Sequence, residues 1–214
     1  MTTAGTPSSI EPRHMHSNPI LQSERIADKP IDLLFLQRWS PIHFKPDPLT
    51  QDQIDTLFEA ARWTPSCYND QPWNFVYGTN GPEREAMNDL LFPKNREWAS
   101  KAPMLVFVVA RRHFVHNGAP NAWCEFDSGA AWMALALQAK LLGLAAHSMA
   151  GFDEERAYTV LDIDKSKFRV CSAVAIGYWN PDAPPSLPGS TKEAITTRRA
   201  RTTFVFKGHM GQKD

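Results

Sequence analysis

The most informative part of this chain is the segment Ala60-Ala61-Arg62-Trp63-Thr64-Pro65-Ser66-Cys67-Tyr68-Asn69-Asp70-Gln71-Pro72-Trp73. A predicted helix ends before Pro65 and a predicted strand follows the segment, so the residues between them form a corner. The side chains of Ser66, Asn69 and Gln71 can form hydrogen bonds with a flat heteroaromatic ring. Residues 65–71, hereafter the amide turn, are therefore predicted to bind a ligand.

Arginine-containing segments lie on both sides of the amide turn in the sequence. Arg38-Trp39-Ser40 precedes it, and Arg198-Arg199-Ala200-Arg201 lies near the C-terminus. Guanidinium groups bind phosphate through paired hydrogen bonds, so the three segments together predict a ligand with a ring and a phosphate. Each segment alone has a plain alternative: a surface ion pair for Arg38, turn capping for Ser66 and Asn69, and a solvated tail for residues 198–201.

Composition narrows the class of protein. The 214 residues carry 23 basic and 23 acidic side chains, and this balance predicts neither nucleic acid nor an anionic membrane as a partner. Cys67, Cys124 and Cys171 lack the spacing of a disulfide framework or a zinc site, which fits a reducing compartment. Since there is no secretory signal and no apolar run of about 20 residues, we expect a soluble, cytoplasmic protein.

The chain is predicted to consist of an arm and one domain. Residues 1–28 are rich in Ser, Thr, Pro and His, which predicts a flexible arm that orders only against another subunit. His14 and His16 lie within it without a third ligand, so we expect a solvated tail and no metal site. Residues 29–214 are predicted to form a single domain, in which the proline-rich residues 181–190 run over the surface.

Apolar periodicity predicts helices alternating with strands. Helices are predicted from Pro30 to before Pro41, from Thr50 to before Pro65, and over 82–91, 124–144 and 153–160; strands are predicted over 74–77, 104–110, 145–149 and 170–178. Thr50 and Gln53 predict a capping box. The nearly continuous apolar run 104–110 predicts a buried strand with layers on both faces. Tyr158, beside a charged helix, is predicted to lie on the surface.

Common catalytic motifs are missing from the sequence. It contains no GxGxxG, GxxxxGK[ST], HExxH or GxSxG. These absences disfavour a Rossmann nicotinamide site, phosphate-loop hydrolysis, zinc proteolysis and hydrolase chemistry. Ligand-holding residues without an evident nucleophile and base are typical of an enzyme whose reactive atoms belong to a cofactor.

Four segments, in chain order, resemble the FMN-dependent nitroreductase family. They are Arg38-Trp39-Ser40, the helix leading to residues 65–73, residues 143–153, and Ala175-Ile176-Gly177-Tyr178. The resemblance implies an α+β fold with three α/β/α layers, a central mixed and mainly antiparallel sheet, and an interlocked homodimer. It also implies one FMN at each end of the subunit interface, with NADH or NADPH as the electron donor.

The family's phosphate contacts carry over to residues near both ends of the domain. By resemblance, Arg38 and Ser40 hold the phosphate and the ribityl chain, and Arg199 and Arg201 complete the phosphate site. Trp39 contributes mainly backbone atoms near the pyrimidine edge of the ring.

The family's ring contacts carry over to the amide turn and to a second turn near residue 150. The residues implied are Pro65, Ser66, Cys67 and Asn69 from the other subunit, Gln71, and Ala150 and Gly151. At the last two positions a backbone N–H is implied to approach flavin N5, and a small residue allows that approach.

Two positions depart from the family pattern. Ile42 stands where many members carry a basic residue that stabilises the reduced ring, and Lys94 or Arg96 is the candidate substitute. Cys67 stands where serine is common, and a buried small thiol is favoured there over a redox-active one.

The resemblance implies a ping-pong oxidoreductase. NAD(P)H gives hydride to flavin N5, and an electron-poor acceptor then takes it; the family's usual acceptors are nitroaromatics, quinones and activated alkenes. Two alternatives remain: a flavin-consuming or dehalogenating enzyme on the same scaffold, and a flavin-binding protein without turnover.

Overall fold

The structure is a computed structural model, and it describes residues 25–183 and 196–210. Most of the predicted arm, including His14 and His16, lies outside the described residues. So do residues 184–190 of the proline-rich segment.

A four-stranded sheet forms the centre of the fold. Its strands are β1 (Trp73–Gly78), β2 (Met104–Arg111), β3 (Ala145–Met149) and β4 (Phe168–Gly177). Their order across the sheet is β1-β2-β4-β3, and all three pairings are antiparallel. The prediction of a mainly antiparallel sheet is thus confirmed, but the parallel pairing that a mixed sheet implies is not found among the described residues. Strands β1 and β3 form the two edges of the sheet.

The helices cover both faces of the sheet. They are α1 (Leu33–Gln37), α2 (Gln51–Arg62), α3 (Gly81–Leu90), α4 (Pro93–Ala99), α5 (Cys124–Leu141) and α6 (Glu154–Val160). Residues of α2 and α5 enter one hydrophobic core, and residues of α3, α4 and α6 enter the other. The predicted three-layer α+β arrangement is confirmed.

Strand β2 is buried because its alternate residues enter the two different cores. One core receives Leu105, Phe107 and Val109, and the other receives Met104, Val106 and Val108. Because side chains alternate across a strand, a sheet covered on both faces selects a continuous apolar run. This is the signal that the sequence carries.

Local capping defines the start of α2, the helix that leads into the amide turn. Thr50 Oγ1 accepts a hydrogen bond from the Gln53 N–H, and the Gln53 side chain accepts one from the Thr50 N–H. Ile54, Leu57 and Ala61 form the buried face of the helix. The predicted capping box and apolar face are both confirmed.

The helices differ from the sequence-based predictions at three points. Helix α1 begins at Leu33 rather than near Pro30, because the side chain of Asp32 accepts a hydrogen bond from the Leu34 N–H and caps it there. Helix α4 was not predicted. Tyr158 is buried, not on the surface, and its hydroxyl accepts a hydrogen bond from the Val170 N–H.

Candidate flavin site

The amide turn has an unusual backbone. Tyr68, Asn69 and Gln71 have φ values of 53°, 54° and 50°. A left-handed conformation costs a non-glycine residue on the order of 1 kcal/mol, so contacts must hold this turn. Two of them are internal: the Gln71 N–H donates to Ser66 Oγ at 2.9 Å, and the Gln71 side chain donates to the Asn69 carbonyl at 2.9 Å.

These internal contacts determine which hydrogen-bonding groups of the predicted ring ligands stay available. Ser66 Oγ accepts a hydrogen bond within the turn, which leaves its hydroxyl hydrogen for another acceptor. The Asn69 side-chain amide has no partner in the part of the chain that the structure describes. Cys67 is half-buried, and its N–H donates to Asp127 of α5 at 3.0 Å.

Asp70 joins the amide turn to the loop 112–121, a role that was not predicted from the sequence. Its side chain, 1% exposed, accepts hydrogen bonds from Arg111 at 2.8 Å, the Val115 N–H at 2.9 Å and Asn121 at 3.3 Å. Burial opposes ionisation, yet the hydrogen bonds from Val115 and Arg111 outweigh it, so the pKa of Asp70 lies below its ordinary value. The turn and the loop are therefore tied together by an ionised carboxylate.

An aromatic cluster extends from the amide turn onto that loop. Tyr68, 81% exposed, contacts the rings of Phe114 and His116 at centroid distances of 5.7 and 5.6 Å. Phe114 and His116 lie 5.3 Å apart. These rings form an aromatic surface beside the predicted ring ligands.

A second turn follows β3 at the opposite edge of the sheet. The Gly151 carbonyl accepts hydrogen bonds from the Phe92 N–H at 3.0 Å and from Asn95 Nδ2 at 3.1 Å. A Cβ at Gly151 would overlap Asn95 Nδ2, so a larger residue would displace the Asn95 side chain from this contact. The Gly151 N–H itself has no acceptor among the described residues, and it can donate to a ligand.

Five arginines form the third part of the site, hereafter the arginine cluster: Arg25, Arg38, Arg198, Arg199 and Arg201. Within residues 25–183 and 196–210, none of them forms an ion pair with a carboxylate. Burial and then the charge of Arg198 lower the pKa of both Arg25 and Arg38. A donor set of several guanidiniums without a counter-charge fits a phosphate dianion.

The side chains of the arginine cluster and of its neighbour Trp39 can be placed by their contacts and by the cavities they line. Arg38 Nη1 lies 3.5 Å from Ser40 Oγ. Arg25, Arg198, Arg199 and Arg201 line one cavity of about 620 Å³, and Arg38 lines a different cavity together with Trp39. Trp39 is buried and packs edge-to-face on Trp179 at 5.3 Å, which leaves mainly its backbone for a ligand. Arg25 was not among the predicted ligands, and Arg198 was predicted only as part of the segment 198–201.

The sheet separates the predicted ligands into two groups. The Pro41 carbonyl lies 2.8 Å from His147 Nδ1 in β3, so Arg38-Trp39-Ser40 lies at the same edge as Gly151. The amide turn leads into β1, the other edge. Three interstrand spacings, about 14 Å, separate these edges. One copy of the chain brings the arginine cluster and the β3 turn to one edge, and it does not bring the amide turn to them.

The residues proposed to replace a basic side chain at Ile42 differ in their surroundings. Ile42 packs against a hydrophobic core, which explains an apolar residue there. Arg96 forms an ion pair with Asp89 and also donates to the carbonyls of Asp89 and Leu91. Lys94 is exposed on the same helix without a hydrogen bond or ion pair among the described residues.

Comparison with known proteins defines the class. The family model described as "Nitroreductase family" matches residues 35–97 and 91–178, and the chain belongs to this family. A solved structure described as an oxidoreductase containing FMN is 37% identical, with a TM-score of 0.81 over 88% of this chain and 97% of that one. The family match defines the class of this chain, and the description of the solved structure states that FMN is bound by that neighbour.

Two further relatives extend the comparison. A Streptomyces coelicolor protein whose name includes NADH dehydrogenase/NAD(P)H nitroreductase is 27% identical over 71% of this chain and 86% of that protein. The solved structure of CLA-ER, described as an enone reductase, shares the fold at 19% identity, with a TM-score of 0.67 over 83% of this chain and 97% of that one.

The described residues contain no group of three or more His, Cys, Asp or Glu side chains arranged to hold a metal ion. Within the same ranges, no helix is both long enough and apolar enough to cross a membrane.

Proposed function

We propose that two copies of this chain form a homodimer that binds FMN between them and transfers hydride from NAD(P)H to an electron-poor acceptor in two half-reactions. One observation carries the proposal: the predicted ligands lie at opposite edges of the sheet in one chain. A second copy would bring its amide turn to the arginine cluster of the first. The arm over residues 1–28, the domain over 29–214 and the cytoplasmic location remain part of this proposal.

Each group of residues has a distinct task in this dimer. FMN, when bound, supplies the hydride chemistry at N5. Arg38, Ser40, Arg199 and Arg201 would hold the phosphate and ribityl chain, where surplus positive charge stabilises a dianion. The Gly151 N–H, which has no acceptor among the described residues, would donate to the ring near N5.

The amide turn of the partner would line the ring. Ser66 and Asn69 retain donor capacity after their internal contacts, and Pro65, Cys67 and Gln71 complete the surface. Because left-handed residues and a buried Asp70 fix this turn before any ligand binds, little conformational entropy is lost on binding.

The acceptor would bind beside the exposed aromatic cluster of Tyr68, Phe114 and His116. Flat aromatic surfaces favour planar, electron-poor molecules through offset stacking. Nitroaromatics, quinones and activated alkenes share that shape, and the enone reductase with the same fold supports the last class.

The test is a set of measurements on freshly purified protein. We expect an oxidised-flavin spectrum, FMN release on denaturation, a dimeric mass, and rapid bleaching by NADH or NADPH followed by recovery with a quinone or nitroaromatic. Initial rates against both substrates should give parallel double-reciprocal lines. A colourless monomer that does not take up FMN would contradict the proposal.

Other outcomes would favour the alternatives. Bound flavin that neither nicotinamide bleaches would indicate flavin-consuming or dehalogenating chemistry on the same scaffold. Bleaching without any acceptor reduction would indicate a flavin-binding protein without turnover.

A further inference from the structure

Arg25 makes contacts unlike those of the other arginines in the cluster. Its Nη1 donates to the carbonyls of Leu36 at 2.9 Å and Arg38 at 2.8 Å, and its Nε donates to the carbonyl of Thr196 at 3.1 Å. One guanidinium therefore binds the end of α1 and a segment 171 residues away in the sequence.

Those two segments carry the arginines assigned to the phosphate. The α1 end leads directly into Arg38, and Thr196 leads into Arg198, Arg199 and Arg201. Arg198 also donates to the Thr196 carbonyl at 3.4 Å, so two guanidiniums share one oxygen. The carbonyl contacts hold like charges together that would otherwise separate.

No carboxylate among the described residues forms an ion pair with these arginines. Asp28 lines the same cavity, yet it forms no ion pair with Arg25 or Arg198. The nearby charges of Arg198 and Arg38 add to burial in lowering the pKa of Arg25. Holding the cluster assembled without a counter-charge costs free energy, which a bound dianion would offset.

We propose that Arg25 is a positioning residue for the phosphate: it binds backbone carbonyls rather than the ligand, and it fixes Arg38 and residues 196–201 so that their guanidiniums bind one phosphate. This inference rests on the proposed FMN site. It assigns the specificity for a phosphorylated flavin partly to a residue that does not touch the phosphate.

The rigid, forked shape of the guanidinium is essential to this role. Arginine presents donors in fixed directions and can reach three carbonyls on two segments, whereas the lysine ammonium is a compact point charge. Arg25→Lys would keep the charge and lose the bridging geometry. A contribution of charge alone would survive that substitution.

The experiment measures flavin selectivity in flavin-free homodimer. FMN and riboflavin are each titrated into the natural protein, Arg25→Ala, Arg25→Lys and Arg62→Ala, and the dissociation constants are measured. Arg62→Ala is the control, because it removes an exposed arginine of α2. The readout is the ratio of the riboflavin constant to the FMN constant, because general loss of structure changes both constants together. Circular dichroism establishes that each variant is folded.

We expect the ratio to fall at least about tenfold in Arg25→Ala, nearly as far in Arg25→Lys, and not in Arg62→Ala. An unchanged ratio in Arg25→Ala, or full recovery in Arg25→Lys, would overturn the positioning role. If Arg25→Ala fails to fold, Arg25→Lys alone decides between the outcomes. A natural protein that binds FMN no better than riboflavin would instead overturn the phosphate site of the proposed function, and this inference with it.

Discussion

The amide turn and the arginine cluster are stabilised in opposite ways. In the amide turn, the buried carboxylate of Asp70 balances Arg111 and receives three hydrogen-bond donors. In the arginine cluster, guanidiniums lie together without a carboxylate partner among the described residues. In the proposed site, the amide turn would therefore be fixed before ligand binding, whereas the arginine cluster would gain its counter-charge from the ligand.

The largest expected effect is on the amide turn. Asp70→Ala leaves Arg111 and the Val115 N–H without their acceptor, and we expect a loss of about 3 kcal/mol in the free energy of unfolding. The matched control is Asp89→Ala, which breaks the exposed ion pair with Arg96 and should cost less than about 1 kcal/mol. Urea unfolding followed by fluorescence measures both. Similar losses in the two variants would contradict the description of Asp70 as the buried link.

The next effect concerns the arginine cluster and appears in binding. Arg38→Ala should weaken FMN about 30-fold, because a charge-assisted contact to phosphate is worth about 2 kcal/mol. Riboflavin affinity and the free energy of unfolding should change little. Calorimetric titration with both flavins measures the contrast, and Arg62→Ala again serves as the control. Equal weakening of the two flavins would show that Arg38 does not act through the phosphate.

A smaller effect is expected in acid. The pKa of Asp70 is lower in the folded protein than its ordinary value of 3.8, so its stabilisation is complete above about pH 4 and is lost as the pH falls toward the folded pKa. The difference in unfolding free energy between the natural protein and Asp70→Asn should therefore be constant from pH 7 to about 5 and shrink below about pH 4. Urea unfolding at a series of pH values tests this. A difference that stays constant down to pH 3 would count against an ionised Asp70.

The smallest expected effect concerns the positive charge of Arg198 in the arginine cluster. Arg198→Ala removes repulsion with Arg25 and Arg38 as well as hydrogen bonds to carbonyls, so the free energy of unfolding of the flavin-free protein should change by less than about 0.5 kcal/mol. The salt dependence of FMN affinity should become shallower, since one positive charge is lost. Titrations at low and high salt measure this. An unchanged slope would place Arg198 outside the phosphate's field.

Elements with local signals could be predicted from the sequence. The capping box at Thr50 and Gln53 predicts the start of α2, and the apolar run 104–110 predicts the buried strand β2. Helix α4 was missed because seven residues are too few to show a clear apolar period, although Pro93 at its first turn was a usable signal.

The supporting contacts of the site could not be predicted in the same way. Asp70 binds Arg111, 41 residues away, and Arg25 binds Thr196, 171 residues away. Periodicity and spacing contain no information on such pairs, because only the folded chain brings them together. The residue types of the amide turn and the arginine segments were visible in the sequence, and their roles as flavin ligands stay predictions.

Because the amide turn and the arginine cluster lie at opposite sheet edges, two different defective variants can complement each other in a mixed dimer. In the proposed dimer, a chain with Arg38→Ala still lends a sound amide turn to its partner, and a chain with a damaged amide turn still offers a sound arginine cluster. Mixing the two variants would therefore give one intact centre per mixed pair, while the other centre would carry both substitutions. The proposed dimer therefore predicts complementation between alleles.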